Sequence, residues 1–450
     1  MNQQRRPIVI RNGRVVDPSQ GIDAIADVVL MDGVVIGIDS PGATQLSEGW
    51  SEFDASDKIV APGFIDLHTH LRTPGQEWKE DPKTASEAAV RGGFTTICAM
   101  PNTYPAQDNA SVVGELMQRC ASESDVRVRP IGAITKERKG HELAPMHELV
   151  DAGVVGFSDD GDPVMSPHMM RQALAYSSDL DLPIINHAED RGLVGAWDMN
   201  EGAVATHLGL RGIPNSAESM MIARDIELAR ITGGRLHVPH VSTAESVKLI
   251  RRAKSESINV TAEVTPHHLA LTEHWVYGER GNVPMVLHAN AYDSNAKMAP
   301  PLRSEEDRVA LIEGLEDGTI DAIGTDHAPH ADTDKVCTFT EAANGIIGLE
   351  TALPLANGMA AINLNLVIER LTVGPSAILG DTTIGTLKPG AKGDVIIIDP
   401  DAVWQVDRTT LGSKSRNTPL FASNAKGRVL ATFVAGAKIW NADGYGASDA

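Results

Sequence analysis

Long apolar runs, paired cysteines and surplus basic charge are all missing from this 450-residue chain, and each absence narrows what it can be. No stretch approaches the roughly 18 apolar residues that a membrane-spanning helix needs. Residues 1–18 carry Arg5 and Arg6 but no apolar core of signal-peptide length, so a cytoplasmic chain with no membrane partner is expected. The three cysteines, Cys98, Cys120 and Cys337, are odd in number and far apart, which excludes a disulfide framework and fits a reducing compartment. They also lack metal-ligand spacing and are read as structural. A formal net charge of −21 repels phosphate backbones and anionic lipid, so nucleic acid and membrane surfaces are not expected partners. An anionic small molecule would have to be met by a local cluster of basic groups. No Gly-rich phosphate loop of the Walker or Rossmann type follows any candidate strand, which leaves nucleotide binding without support.

What is present is an ordinary globular composition, 42% hydrophobic and 22% charged, in a chain long enough for one large core and a second, smaller unit. Both ends are written as hairpins. Ile8–Arg11 and Arg14–Asp17 flank Asn12-Gly13, and Asp27–Met31 and Val34–Ile36 flank Asp32-Gly33, pairs suited to the positive φ of a type I′ turn. Near the other end Asp394–Asp399 is followed by Arg428–Val434, which turns at Ala435-Gly436 into Ala437–Trp440. Each group is too small to bury a face alone, so one β-sandwich assembled from both termini is expected.

Between the ends the period changes. Eight β-rich runs alternate with helical ones: 64–70, 94–100, 126–134, 154–160, 183–187, 236–240, 259–267 and 321–326. Helices are expected over 84–91, 111–122, 141–152, 167–179, 216–232, 244–255 and 304–318, and a long loop over 274–294. Eight βα repeats in about 250 residues is the size of a (β/α)8 TIM barrel, with a doubly wound open sheet as the competitor. The expected domains are therefore 1–60, the first part of the sandwich; 61–370, a metal-dependent catalytic barrel; and 371–450, the rest of the sandwich.

Groups able to bind a metal gather where these strands end. Alternation of period two puts His68 and His70 on one side of the first strand. The fourth ends in Ser158-Asp159-Asp160, the fifth in Asn186-His187, the sixth in His237-Val238-Pro239-His240 and the eighth in Thr325-Asp326-His327. Nitrogen and carboxylate donors on five strands of one rim suit a cation such as Zn²⁺. By the same alternation His237 faces away from His240, and only one of Asp159 and Asp160 should bind. His267 and His268 end the seventh strand and are read as structural or supporting groups. His141, His147, His168, His207, His274 and His288 fall in helical or loop stretches and read as surface or packing residues.

The runs Asp66–Arg72, Met100–Thr103, Phe157–Gly161, Asn186–Glu189, Lys297–Arg303 and Gly324–His330 together resemble the amidohydrolase superfamily and, within it, the bacterial type I dihydroorotases. The resemblance covers nearly the whole chain. It implies a zinc-dependent TIM barrel with one or two metals, flanked by a β-sandwich, that interconverts N-carbamoyl-L-aspartate and L-dihydroorotate in pyrimidine biosynthesis. Carried over by position, it makes His68 and His70 ligands of one metal with Asp326 beside them, Asp160 the bridging carboxylate, and His187 and His240 ligands of a second metal. Arg72, Asn102 and His330 would hold the substrate carboxylate. Asp326 would act as general base and then general acid while hydroxide activated by the metal attacks the cyclic amide.

Many members of the family have Asn where this chain has Ala299, and Asn295 or backbone is the expected replacement. The segment 331–344 is expected to form a mobile lid over the substrate. An assembly of identical chains is expected, and a complex with aspartate transcarbamoylase is open. An allantoinase- or hydantoinase-like cyclic amidase would share the barrel and metals but not need the Arg72, Asn102 and His330 set. A non-catalytic partner of the transcarbamoylase would have no reason to keep all six ligands.

Overall fold

The computed structural model describes residues 7–278, 291–442 and 445. Five strands open the chain: β1 (Ile8–Asp17), β2 (Ile22–Met31), β3 (Val34–Asp39), β4 (Ser51–Asp54) and β5 (Ile59–Pro62). Asp32 and Gly33, at φ 51° and 83°, make the expected tight turn between β2 and β3. Asn12-Gly13 does not turn the chain. There β1 runs on through a register shift between Ile10 and Gly13, with Asn12 at φ 59°. The left-handed conformation that suits Asn-Gly to a hairpin also suits it to a bulge, and here the bulge wins.

The central strands are β6 (Phe64–Thr69), β7 (Phe94–Ala99), β8 (Arg127–Pro130), β9 (Phe157–Ser158) and β10 (Ile184–Ile185). A short ribbon of β11 (Met199–Asn200) and β12 (Gly212–Ile213) follows, then β13 (Leu236–Val238), β14 (Val260–Val264) and β15 (Ala322–Ile323). All eight expected strands are present, each shorter than its apolar run. They pair in parallel as β6-β7-β8 and β9-β10-β13-β14-β15. Parallel bridges join the two sheets at both margins, Gly132 to Phe157 and Thr69 to His327. The seventh strand stops at Val264 and not at His267, because Thr265 accepts from the His268 N–H as an N-cap and Pro266 starts the helix Pro266–Ala270. The expected helices are present, with 141–152 reduced to Met146–Asp151 behind Pro145. The helix Leu364–Leu379, unpredicted, carries Pro375 in its interior. Of the loop expected over 274–294, residues 279–290, including His288, lie outside the described residues.

The chain closes with β16 (Val395–Gln405), β17 (Asn424–Val434) and β18 (Ala437–Asn441). These join the first strands in one sheet of order β18-β17-β16-β5-β1-β2-β3, with β4 on β1, so strands from the two ends share a sheet. Its seam is the antiparallel pairing of Pro62 with Val395 through Ile59 with Ile398. One face buries Ile10, Val28, Val60, Ile397 and Phe433, with the Phe53 and Phe433 rings edge to face at 5.3 Å. Ile396, Ile398 and Val429 instead join the core of the central unit, together with Phe64 and Phe94, whose rings meet edge to face at 5.7 Å. Among the described residues no helix is long and apolar enough to cross a membrane.

Phe94 is fully buried where the two units meet. Phe94→Ala is expected to lower the free energy of unfolding by about 3–5 kcal/mol in urea titration, through lost burial and the cavity left behind.

Candidate metal centre

The carboxyl ends of the central strands carry the donors, and main-chain geometry aims them. His70 N–H donates to the His327 carbonyl at 3.0 Å, stitching the end of the first strand to the eighth. Asp66 is buried beneath this stitch and accepts from the Thr325 N–H and hydroxyl at 2.7 and 2.6 Å, and from the Thr69 hydroxyl. Burial, opposed by these donors, pushes its carboxyl up to about 6. Thr325 is thereby fixed, and the next residue, Asp326, turns into the centre at φ 44°; His240 does the same at φ 34°.

Six expected ligands converge. His68 Nε2 lies 3.3 Å from Asp160 Oδ1 and 3.5 Å from Asp326 Oδ1. His70 Nε2 lies 3.0 Å from Asp326 Oδ1 and 3.5 Å from Asp160 Oδ2. Asp160 Oδ1 is also 3.7 Å from His187 Nδ1 and 3.8 Å from His240 Nε2. Two triads have donor atoms mutually within 4.8 Å: His68, His70 and Asp326, and His68, Asp160 and His240. His68 belongs to both. His187 is in neither of these, but its Nδ1 lies 2.9 Å from His240 Nε2 and 3.7 Å from Asp160 Oδ1, so it stands at the edge of the second.

Buried His68 Nε2 and Asp160 Oδ1 face one another with no hydrogen-bond partner, so the donor set fits a divalent cation, which would satisfy both. The other ring nitrogens are already engaged. His68 Nδ1 donates to Glu263 Oε1 at 2.9 Å, His70 Nδ1 to Asn102 Oδ1 at 2.8 Å and His187 Nε2 to Glu189 Oε2 at 2.9 Å. Those bonds leave the Nε2 lone pairs of His68 and His70 and the Nδ1 lone pair of His187 for the centre. Burial alone would raise the Asp160 and Asp326 carboxyls, but His68 and its neighbours override it and hold both well below the usual carboxylate range.

Beside the donors opens a cleft of about 660 Å³ lined by Arg72, Asn102 and His330 as well as His70, Asp160 and Asp326. Arg72 Nη2 is 3.4 Å from His330 Nε2, and its Nε donates to the Pro329 carbonyl at 3.1 Å. Burial, then Arg72 and Lys79, pull His330 down to about 2, so it is neutral; its Nε2–H donates to the Asn344 carbonyl at 2.9 Å. Asn102, expected to meet the substrate, holds His70 and reaches Asp160 Oδ2 at 3.5 Å.

Asp159 turns away to accept from the Ile134 and Thr135 N–H groups, and His237 turns to Thr261 at 2.9 Å, as alternation requires. Asn295 does not replace the missing Asn, because it lines outer grooves and not this cleft; Ala299 and Asn344 line the cleft wall. The segment 331–344, where a mobile lid is expected, is anchored through two lysines. Buried Lys335 donates to the Ser294, Lys297 and Ala343 carbonyls, and Lys297 to those of Phe339 and Thr340.

Glu263 and Glu189 are supporting groups that sequence reasoning passed over. Glu263 had a readable signal, a charge inside the apolar strand Val260–Val264 that burial must pair.

Chains of the same shape are known. The fold matches L-hydantoinase (dihydropyrimidinase) from Arthrobacter aurescens with a TM-score of 0.84 at 27% identity, covering 97% of this chain and 96% of that one. It matches D-hydantoinase (dihydropyrimidinase) from Thermus sp. with a TM-score of 0.80 at 23% identity, over 98% and 97% of the two chains. Fold and donor set together define a metal-dependent hydrolase of the amidohydrolase class. A family model described as dihydro-orotase-like matches residues 57–246. The chain is 46% identical to a dihydroorotase of Geobacter sp. (strain M21) over 97% of its length and 99% of the relative's. It is 48% identical to one of Anaeromyxobacter sp. (strain K) over 95% and 96%. The chain belongs to the dihydroorotase family.

Asp160→Ala is expected to reduce the divalent metal retained after dialysis at least about tenfold, read by elemental analysis against wild-type protein.

Proposed function

We propose that this chain is a zinc-dependent dihydroorotase that interconverts N-carbamoyl-L-aspartate and L-dihydroorotate in pyrimidine biosynthesis in the cytoplasm. The observation that carries the reading is the shared cleft, lined by the donors His70, Asp160, His187 and Asp326 together with the Arg72 guanidinium. His68, His70, Asp160, His187, His240 and Asp326 would hold one or two zinc ions. A divalent cation there supplies Lewis acidity that lowers the pKa of water and polarises the scissile carbonyl.

The protein's own groups do the rest. Arg72 offers a planar fork to the substrate carboxylate, with Asn102 and His330 beside it. This is the local basic site that the acidic chain requires. Asp326, kept ionised by His68 and His70, accepts a proton from the attacking water as its oxygen bonds to the ring carbonyl carbon. The carbon–nitrogen bond then breaks and Asp326 returns that proton to the departing nitrogen, giving N-carbamoyl-L-aspartate. Cyclisation is the reverse.

In the same reading the two parallel sheets and their marginal bridges form a closed (β/α)8 barrel, and the sheet of the two ends is its flanking sandwich. The domain bounds 1–60, 61–370 and 371–450 then need one adjustment, keeping the helix Leu364–Leu379 whole in the barrel unit. Assembly of identical chains, and association with aspartate transcarbamoylase, are tested by size-exclusion of the chain alone and of the two proteins mixed.

The hydantoinase-like shape favours a second reading, a cyclic amidase for uncharged rings. Metal-stripped protein should regain L-dihydroorotate hydrolysis, followed by loss of ultraviolet absorbance, only when zinc is restored; hydrolysis of hydantoin in preference would select the second reading. Arg72→Ala is expected to raise KM for dihydroorotate about 10- to 100-fold, the cost of a charge-assisted contact, and to leave any hydantoin turnover unchanged. Asp326→Asn is expected to lower kcat by about 10²- to 10⁴-fold in protein shown still to carry zinc. Wild-type turnover in that variant would remove Asp326 from the proton transfer.

A further inference from the structure

Glu263 is a carboxylate in the middle of β14, 1% exposed, with no solvent to stabilise its charge. A buried ionised group without a full set of partners costs several kcal/mol, so its place in the fold needs a reason. One oxygen has a firm partner, His68 Nδ1 at 2.9 Å. The other faces His237 Nε2 at 3.5 Å, too long for a firm hydrogen bond, and both of those atoms are left without one. His237 is itself anchored on Thr261 of the same strand, two residues before Glu263. The neighbouring strand gives way to the carboxylate. A Cβ on Gly324 would overlap Glu263 Oε2 and stand 2.6 Å from its Cδ and 2.9 Å from Oε1. Gly324 therefore has a steric reason to be glycine.

We propose that Glu263 is a positioning residue of the metal centre, which holds His68 as an Nε2 donor, and that Gly324 lacks a side chain in order to seat it. The inference rests on the metal reading of the site. His68 is the one histidine common to both ligand triads, so fixing its ring and tautomer fixes the shared corner of the centre. A carboxylate partner also makes the opposite ring nitrogen more basic and a better ligand. Asn102 plays the corresponding part for His70 with a neutral amide oxygen, which gives orientation without that gain in basicity. Glu263 makes no contact with the cleft, so it acts through His68 and not on substrate.

The test is zinc affinity of the full chain, measured on metal-stripped protein by competition with a chromophoric chelator. Glu263→Gln keeps the shape and removes the charge. Gly324→Ala keeps the charge and pushes the carboxylate off its seat. Both are expected to weaken zinc binding about 10- to 100-fold and to shift the visible spectrum of the cobalt(II)-loaded protein, while the melting temperature of the metal-free protein stays within about 3 °C of wild type. Zinc affinity of Glu263→Gln within about twofold of wild type overturns the inference. If Glu263→Gln fails to fold, the same result in Gly324→Ala overturns it, and so does an affinity loss that only tracks a falling melting temperature of the metal-free protein. Wild-type protein that takes up no zinc in this competition removes the metal reading itself and the inference with it, so the two failures are distinguishable.

Discussion

Two carboxylates kept ionised out of water are the constraint on which this molecule turns. Asp160 and Asp326 are 3% and 4% exposed, and each sits within 3.5 Å of a ring nitrogen of His68 and of His70. Taking an ion out of water costs several kcal/mol after relaxation, so such groups persist only inside a structure that over-determines them. The backbone carries the same mark. Arg72, His240 and Asp326 all adopt positive φ, of 58°, 34° and 44°, a conformation costing non-glycine residues on the order of 1–3 kcal/mol each. Asp66 beneath Thr325, and the main-chain stitch between His70 and His327, hold the last of these in place.

The rest of the fold can be read as support for that rim. Strands aligned in parallel deliver all their last residues to one end, where none of the donors has to be carried by a long flexible loop. Their first residues are sealed by the apolar contact of Phe64 and Phe94 with Ile396, Ile398 and Val429. Stability and chemistry thus sit at opposite ends of the same strands. Even the loop 331–344, rich in polar residues, is fastened by two buried lysine side chains donating to main-chain carbonyls.

Much of this was legible in the chain itself, for reasons that differ by element. The eight central strands announce themselves because a strand buried on both faces must be apolar throughout, and the donors stand out as polar groups where each run stops. Alternation separated Asp160 from Asp159 and His240 from His237, since a one-residue step reverses the face. The failures share a cause as well. Asn12-Gly13 fits a bulge as well as a turn, Thr265-Pro266 ends a strand by a cap that composition does not weigh, and Pro375 hides a helix. Asn295, expected with backbone as the replacement for the absent family Asn, lies along outer grooves, whereas Asn344 is brought to the cleft by the fold.

The seam between β5 and β16 has a consequence for how the chain is made. Pro62 pairs with Val395, so the edge of the first sheet stays without its neighbour while more than three hundred further residues are synthesised. At the usual pace of about 5–20 residues per second that is roughly 20 to 60 seconds with an open β edge. Such an edge is a template for any other strand, including the same one on a neighbouring nascent chain. The first sheet is therefore completed only when β16 arrives, and until then its edge is open to the pairing that leads to aggregation.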